Sequence, residues 1–135
     1  MHKQQIDQWD VIYAYTRQQA IEDGVLVDLM QPELVELVHN AGFRFPVAMT
    51  AEAFHDYVEL TAAAKRACND IKGRLWDVLW MLSREIKRGA HGDTVNFEFY
   101  CVTDRIEPRL CTLKAICGPG DQGEPVITIM HPWQD

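Results

Sequence analysis

The chain has 135 residues, of which 47% are hydrophobic and 24% are charged, and its formal net charge is −7 at pH 7. The length fits a single domain over residues 1–135, and the composition excludes a disordered chain. The first ten residues are polar, and no window reaches the roughly 20 apolar residues of a transmembrane helix, so we expect a cytoplasmic protein without membrane contact.

Capping signals delimit the first predicted elements. Thr16 and Gln19 fit a capping box and Gly24 is a natural helix stop, which predicts a helix over 17–23. The following segment, VLVDL at 25–29, is typical of a short strand.

Two further helices flank an extended segment. Pro32 and Gly42 bracket the first of these helices. The segment FRFPVAM at 43–49 contains a proline, which predicts an extended chain or, at best, an edge strand. Thr50 is placed to cap the second helix, over 51–60.

The longest unbroken helical period lies in GRLWDVLWMLSREIKR at 73–88. Its apolar face follows i, i+3, i+4 spacing and consists of Leu75, Val78, Leu79, Leu82 and Ile86. Trp76 and Trp80 widen this face, either as core residues or as an exposed contact ridge. We predict that this is the central core helix. The preceding segment, 61–72, is either a helical run-up or a mobile connection.

Strand formers replace helix formers in the C-terminal part. Alternating apolar residues predict a half-buried strand at 94–102, paired as a hairpin with 109–117. VITIM at 126–130 is apolar at nearly every position, which is typical of a middle strand. Helices early and strands late indicate an α+β fold, in which a small antiparallel sheet, mainly from the C-terminal strands, packs against helices.

No pattern of catalytic or metal-binding residues is recognisable. The four cysteines have no Cys-x-x-Cys spacing and are expected to be reduced thiols. The five histidines form no i, i+4 pair. We therefore predict no catalytic residue, no metal site and no cofactor.

Tyr13, Tyr15 and Arg17 form the first candidate binding group. Tyrosine and arginine are frequent anchors in protein interfaces, so these residues are candidates for contact with a partner or a small anionic ligand. They are equally consistent with a helix staple, a core tyrosine and a surface ion pair.

Three acidic residues are further candidates. Asp121 and Glu124 lie in the loop GPGDQGEP, which lacks the Lys-Ser or Lys-Thr of a phosphate-binding loop. Either the two carboxylates offer oxygens to a cation, or the loop is structural and its glycines and prolines set the turn between two strands. Asp77 fits a chain of helical ion pairs with Arg74 and Asp70. Its position between two tryptophans also makes it a candidate acid or base.

Several stretches together resemble a family of small bacterial, plasmid and phage proteins known as a domain of unknown function. The resemblance spans nearly the whole chain and implies a setting on mobile genetic elements, but no activity. It is carried by DVIYAYTR at 10–17, DGVLVD at 23–28, AGFRFPVAMT at 41–50, GRLWDVLWM at 73–81 and GPGDQGEPVITIM at 118–130.

The leading functional hypothesis is a non-enzymatic accessory factor of a mobile element that binds a protein, as an inhibitor of a host nucleic-acid-handling or defence system. Residues 1–60 contain ten acidic and three basic residues, so direct nucleic-acid binding is not expected, whereas a basic groove on a partner protein is a suitable target.

Two alternatives remain open. One is a small-molecule-binding or enzymatic domain, whose pocket between sheet and helices is lined by Tyr13, Tyr15, Arg17, Asp77 and Asp121. The other is a homodimer formed through an exposed tryptophan ridge.

Overall fold

The computed structural model describes residues 15–89 and 92–135, so Tyr13 lies outside the described residues. Within these ranges there are five helices: α1 (Arg17–Glu22), α2 (Val35–Asn40), α3 (Ala51–Tyr57), α4 (Ala62–Arg66) and α5 (Ile71–Lys87). There are also five strands: β1 (Leu26–Asp28), β2 (Val47–Thr50), β3 (Thr94–Cys101), β4 (Arg109–Pro119) and β5 (Pro125–Met130). The predicted α+β class is confirmed.

The strands form one sheet in the order β1-β2-β5-β4-β3. The C-terminal strands pair antiparallel, with Phe97 opposite Leu113 in the predicted hairpin, and β5 occupies the predicted middle position. The sheet is mixed and not wholly antiparallel, because β2 and β5 run parallel, with Val47 opposite Ile127.

β2 is an interior strand, which corrects the edge position that its proline predicts. All four of its residues are buried, and it pairs with β1 on one side and β5 on the other. Pro46 lies one residue before the strand, so its missing N–H interrupts no ladder hydrogen bond. Its carbonyl accepts a hydrogen bond from the Ile127 N–H at 2.8 Å.

Side-chain caps set the starts of four of the five described helices, among them α1, α3 and α5. The Thr16 hydroxyl accepts from the Gln19 N–H in the predicted capping box of α1, and the Thr50 hydroxyl caps α3. Asp70 accepts from the Gly73 N–H at 2.8 Å and starts α5 slightly before the predicted boundary.

The segment between α3 and α5 contains a short helix and a break. Thr61 caps α4, and Cys68 then adopts a φ of +62°, a left-handed conformation that ends helical propagation. Part of 61–72 is therefore helical, as one of the two predicted alternatives has it, and a short connection separates α4 from α5.

α5 packs on β3 and supplies the centre of the core, as predicted. Its fully buried residues are Leu75, Val78, Leu79 and Leu82. Ile86 departs from the prediction because 40% of its surface is exposed near the end of the helix. In residues 15–89 and 92–135, no helix is both long and apolar enough to cross a bilayer.

Candidate functional site

Arg17 and Tyr15 are engaged in contacts within the protein. The Arg17 guanidinium crosses from α1 to β5, where it donates to the Thr128 hydroxyl at 2.6 Å and to the Ile127 carbonyl at 2.9 Å. Burial lowers the pKa of Arg17, while nearby carboxylates oppose this shift. The Tyr15 hydroxyl donates to Asp23 at 2.6 Å, which raises the pKa of Tyr15.

The two loop carboxylates accept hydrogen bonds from the backbone. Asp121 accepts from the N–H groups of Arg17 at 2.8 Å and Gln18 at 3.0 Å, and so caps α1 from a distant loop. Glu124 accepts from the Gln122 N–H at 2.9 Å inside its own turn. The Glu124 contact lies inside the turn, whereas the Asp121 contact ties the loop to the start of α1.

Asp77 lies away from this group. It lines a cavity of about 260 Å³ with Arg74 and Tyr100, whereas Tyr15, Arg17 and Asp121 line a different one. Three of the four described residues of the predicted pocket therefore share one cavity, and Asp77 is the one that lies outside it. Partial burial raises the pKa of the Asp77 carboxyl, against the opposing charge of Arg74.

Arg74 points into the protein, which corrects the predicted chain of helical ion pairs. In the described ranges no salt bridge joins it to Asp70 or Asp77. Its side chain, only 5% exposed, instead donates to the carbonyls of Val58 at 3.1 Å and Val102 at 2.8 Å.

The two tryptophans of α5 have different environments. Trp76 is partly buried and packs against the core, while Trp80 is 39% exposed. Their rings stack with centroids 5.6 Å apart and planes 18° apart. Met81, the next residue, is also exposed. The stack holds an exposed indole in a fixed orientation.

A polar cluster that sequence reasoning missed lies where β5 ends against α3. His131 directly follows β5, and its side chain is almost completely buried. Its Nε2 lies 2.8 Å from Asp56 Oδ2 on α3. The imidazole stacks on Trp133, with centroids 4.3 Å apart, and meets the Tyr57 ring edge-on at 5.3 Å.

Gln134 joins Glu52 to this cluster. Its side-chain carbonyl accepts from the Thr50 hydroxyl at 2.8 Å and from the His131 N–H at 2.9 Å. Its amide group donates to Glu52 at 3.1 Å. As a result, one ligand atom each from Glu52, Asp56 and His131 lies within 4.8 Å of the other two.

A cavity of about 630 Å³ opens beside the cluster and is lined by His55, Asp56, Arg66, Asp104 and Trp133, among others. The second nitrogen of His131, Nδ1, is buried and has no hydrogen-bond partner in residues 15–89 and 92–135. Because this nitrogen is covered, His131 cannot use it to take a proton from a molecule in the cavity. The Asp56 carboxylate, by contrast, is partly exposed and lines the cavity.

One local signal for the cluster was present in the sequence. Glu52 and Asp56 are spaced i, i+4, which places two carboxylates on one face of α3. His131 follows 75 residues later along the chain, and no local pattern connects it to α3.

Comparison with known proteins gives one finding. Comparison with curated proteins and with solved structures gave no match. A family model described as a family of unknown function matches residues 3–135, nearly the whole chain. This agrees with the resemblance to a domain of unknown function. The chain therefore belongs to the DUF6573 family.

Proposed function

We propose that this protein is a non-enzymatic protein-binding factor whose contact surface is the exposed side of α5 around Trp80. The exposed indole carries this proposal. Tryptophan is enriched among the residues that dominate binding energy in interfaces, and its stacking on Trp76 reduces the entropy lost when a partner immobilises it.

The contacts of the polar candidates support this proposal over the alternative of a small-molecule-binding or enzymatic pocket. Tyr15, Arg17, Asp121 and Glu124 already bond to other groups of the protein. A ligand would have to displace these contacts, and Asp77 lies elsewhere.

The biological setting that we propose comes from the family resemblance. The protein would act in the cytoplasm as an accessory factor of a phage or plasmid, inhibiting a host nucleic-acid-handling or defence system. The excess of acidic residues in 1–60 supports a basic partner, because proteins that bind nucleic acid present positively charged grooves. Since α5 itself carries more basic than acidic residues, this electrostatic part of the contact would lie beyond α5.

The test compares the tagged full-length protein with its Trp80→Ala and Ile86→Ala variants in affinity capture from a bacterial lysate. Ile86 is a matched control because it lies on the same helix with similar exposure, at about 120° around the axis. We expect a stoichiometric partner that the wild type and Ile86→Ala retain. Removal of a hot-spot tryptophan costs about 2 kcal/mol or more of binding free energy. Trp80→Ala should therefore weaken the affinity for the partner by about 30-fold or more.

Two results would contradict the proposal: the absence of any stoichiometric partner, or equal retention by Trp80→Ala. If the contact is electrostatic as well as apolar, about 0.5 M NaCl should weaken it. Light scattering addresses the homodimer alternative, since a dimer that dissociates in Trp80→Ala identifies a second copy of the chain as the partner.

A further inference from the structure

The carboxylates of Glu52 and Asp56 and the imidazole of His131 are spaced as metal ligands are. Their donor atoms lie within 4.8 Å of one another, and the Asp56 and His131 atoms are 2.8 Å apart. Zinc–ligand bonds of about 2.0–2.2 Å place neighbouring ligand atoms of a tetrahedral site about 3.3–3.6 Å apart. Small side-chain rotations therefore suffice to arrange all three around one ion.

Surrounding hydrogen bonds hold these side chains in place. The Gln134 amide donates to Glu52, and the Gln134 carbonyl is fixed in turn by Thr50 and by the backbone of His131. Outer hydrogen bonds of this kind orient the carboxylates of metal sites. The cluster is thus more ordered than a chance group of surface acids.

His131 brings an almost completely buried imidazole to this pair of carboxylates. Its ring is 1% exposed, yet the described part of the chain gives it a single side-chain hydrogen bond, to Asp56, and leaves Nδ1 without a partner. A buried polar ring that is only half satisfied is costly. Coordination at Nε2 would replace the hydrogen bond to Asp56, and a cation would relieve the repulsion between the two carboxylates.

We infer that Glu52, Asp56 and His131 bind a divalent transition-metal ion such as Zn²⁺. Imidazole combined with carboxylates suits zinc and its first-row neighbours, whereas Ca²⁺ and Mg²⁺ favour oxygen ligands alone. Three protein ligands leave at least one coordination position for water, on the side where Glu52 is exposed. The inference departs from the absence of a metal site predicted from the sequence, and it is independent of the proposed protein-binding surface.

The test is calorimetric titration of the metal-stripped full-length protein with ZnCl₂, supported by the visible absorption of bound Co²⁺. We expect one ion per chain and a melting temperature that rises with metal concentration. Glu52→Gln should weaken binding at least about tenfold. This variant should still fold because Glu52 is exposed.

Glu59→Gln is the matched control. Glu59 lies on the same side of the molecule and contacts His55 at 2.9 Å, in a second histidine–carboxylate pair that is exposed. This variant should bind Zn²⁺ as the wild type does. The inference is overturned if about 100 µM Zn²⁺ gives neither binding heat nor a thermal shift. It is also overturned if Glu52→Gln and Asp56→Asn leave the affinity unchanged, or if Glu59→Gln reduces it as much as Glu52→Gln.

Discussion

Arg74 is expected to contribute strongly to stability because it joins three separate parts of the fold. From α5 it donates to the carbonyl of Val58 after α3, to the carbonyl of Val102 after β3, and to the side chain of Asn69. In the alternative arrangement along the helix surface, each ion pair would contribute only about 0.2–0.5 kcal/mol. The two arrangements therefore differ in the predicted effect of a single substitution.

The magnitude follows from the groups that Arg74→Ala would leave unpaired. Each buried carbonyl without a donor costs about 1–3 kcal/mol, so the two carbonyls together account for at most about 2–6 kcal/mol, since the weak Cys101 thiol donor remains at Val102. Part of this loss is offset, because Arg74 Nη2 is itself buried without a partner in the described ranges. The net expected decrease in the free energy of unfolding is about 2–4 kcal/mol.

Urea denaturation followed by tryptophan fluorescence measures this decrease, since Trp76 and Trp80 lie on the same helix. Arg74→Lys is the control: it keeps the charge but has no planar fork to reach both carbonyls, so it should restore only part of the stability. Repeating the series in about 0.5 M NaCl separates the two arrangements, because salt screens surface ion pairs but not buried hydrogen bonds. A loss below about 0.5 kcal/mol that vanishes in salt would refute the inward position of Arg74.

Three further predictions concern single side chains. Asp121→Ala should lower the free energy of unfolding by about 1 kcal/mol in urea denaturation, because α1 loses its distant cap. The free energy of unfolding of Asp121→Asn should lie between those of the wild type and Asp121→Ala. The folded pKa of Asp77 is raised, so its contribution to stability is present below its ordinary pKa of 3.8 and is lost as pH rises through the folded value. Asp77→Asn should therefore raise the melting temperature at pH 7 and leave it unchanged below pH 3.8. A lower melting temperature at pH 7 would contradict this sign. Burial raises the pKa of Cys101 to about 11 and also raises that of Cys111, so at pH 8 a thiol-reactive dye should label two exposed cysteines quickly and these two slowly. Four equally fast thiols would show that the hairpin core is open.

Local patterns predicted the elements whose causes are local. The caps at Thr16 and Thr50 and the period of α5 depend on residues three or four positions apart. The β3–β4 hairpin likewise depends on alternation and a nearby turn. In each case the same few residues determine both the signal and the structure, and the prediction was confirmed.

Features that depend on distant residues were not predictable in the same way. The interior position of β2 depends on β5, and the inward direction of Arg74 depends on acceptor carbonyls after α3 and β3. The contact of Asp56 with His131 likewise joins residues far apart in the chain. In the sequence, Arg74 lies between two acidic residues, a pattern that predicts surface ion pairs. Only the folded structure shows that the carbonyls of Val58 and Val102 accept its hydrogen bonds instead. The binding roles predicted for Tyr13, Tyr15, Arg17, Trp76, Asp77, Trp80, Asp121 and Glu124 stay predictions.

The parallel pairing of β2 with β5 also determines when the sheet can be completed during synthesis. β2 is translated early, but β5, which pairs with one of its edges, is not available until residues 125–130 have been translated. At about 5–20 residues per second, this interval lasts roughly 4–15 s. During this time the strand Val47–Thr50 is an open, apolar edge. Until then this edge is open to pairing with other chains, and the local β3–β4 hairpin should form before the sheet closes.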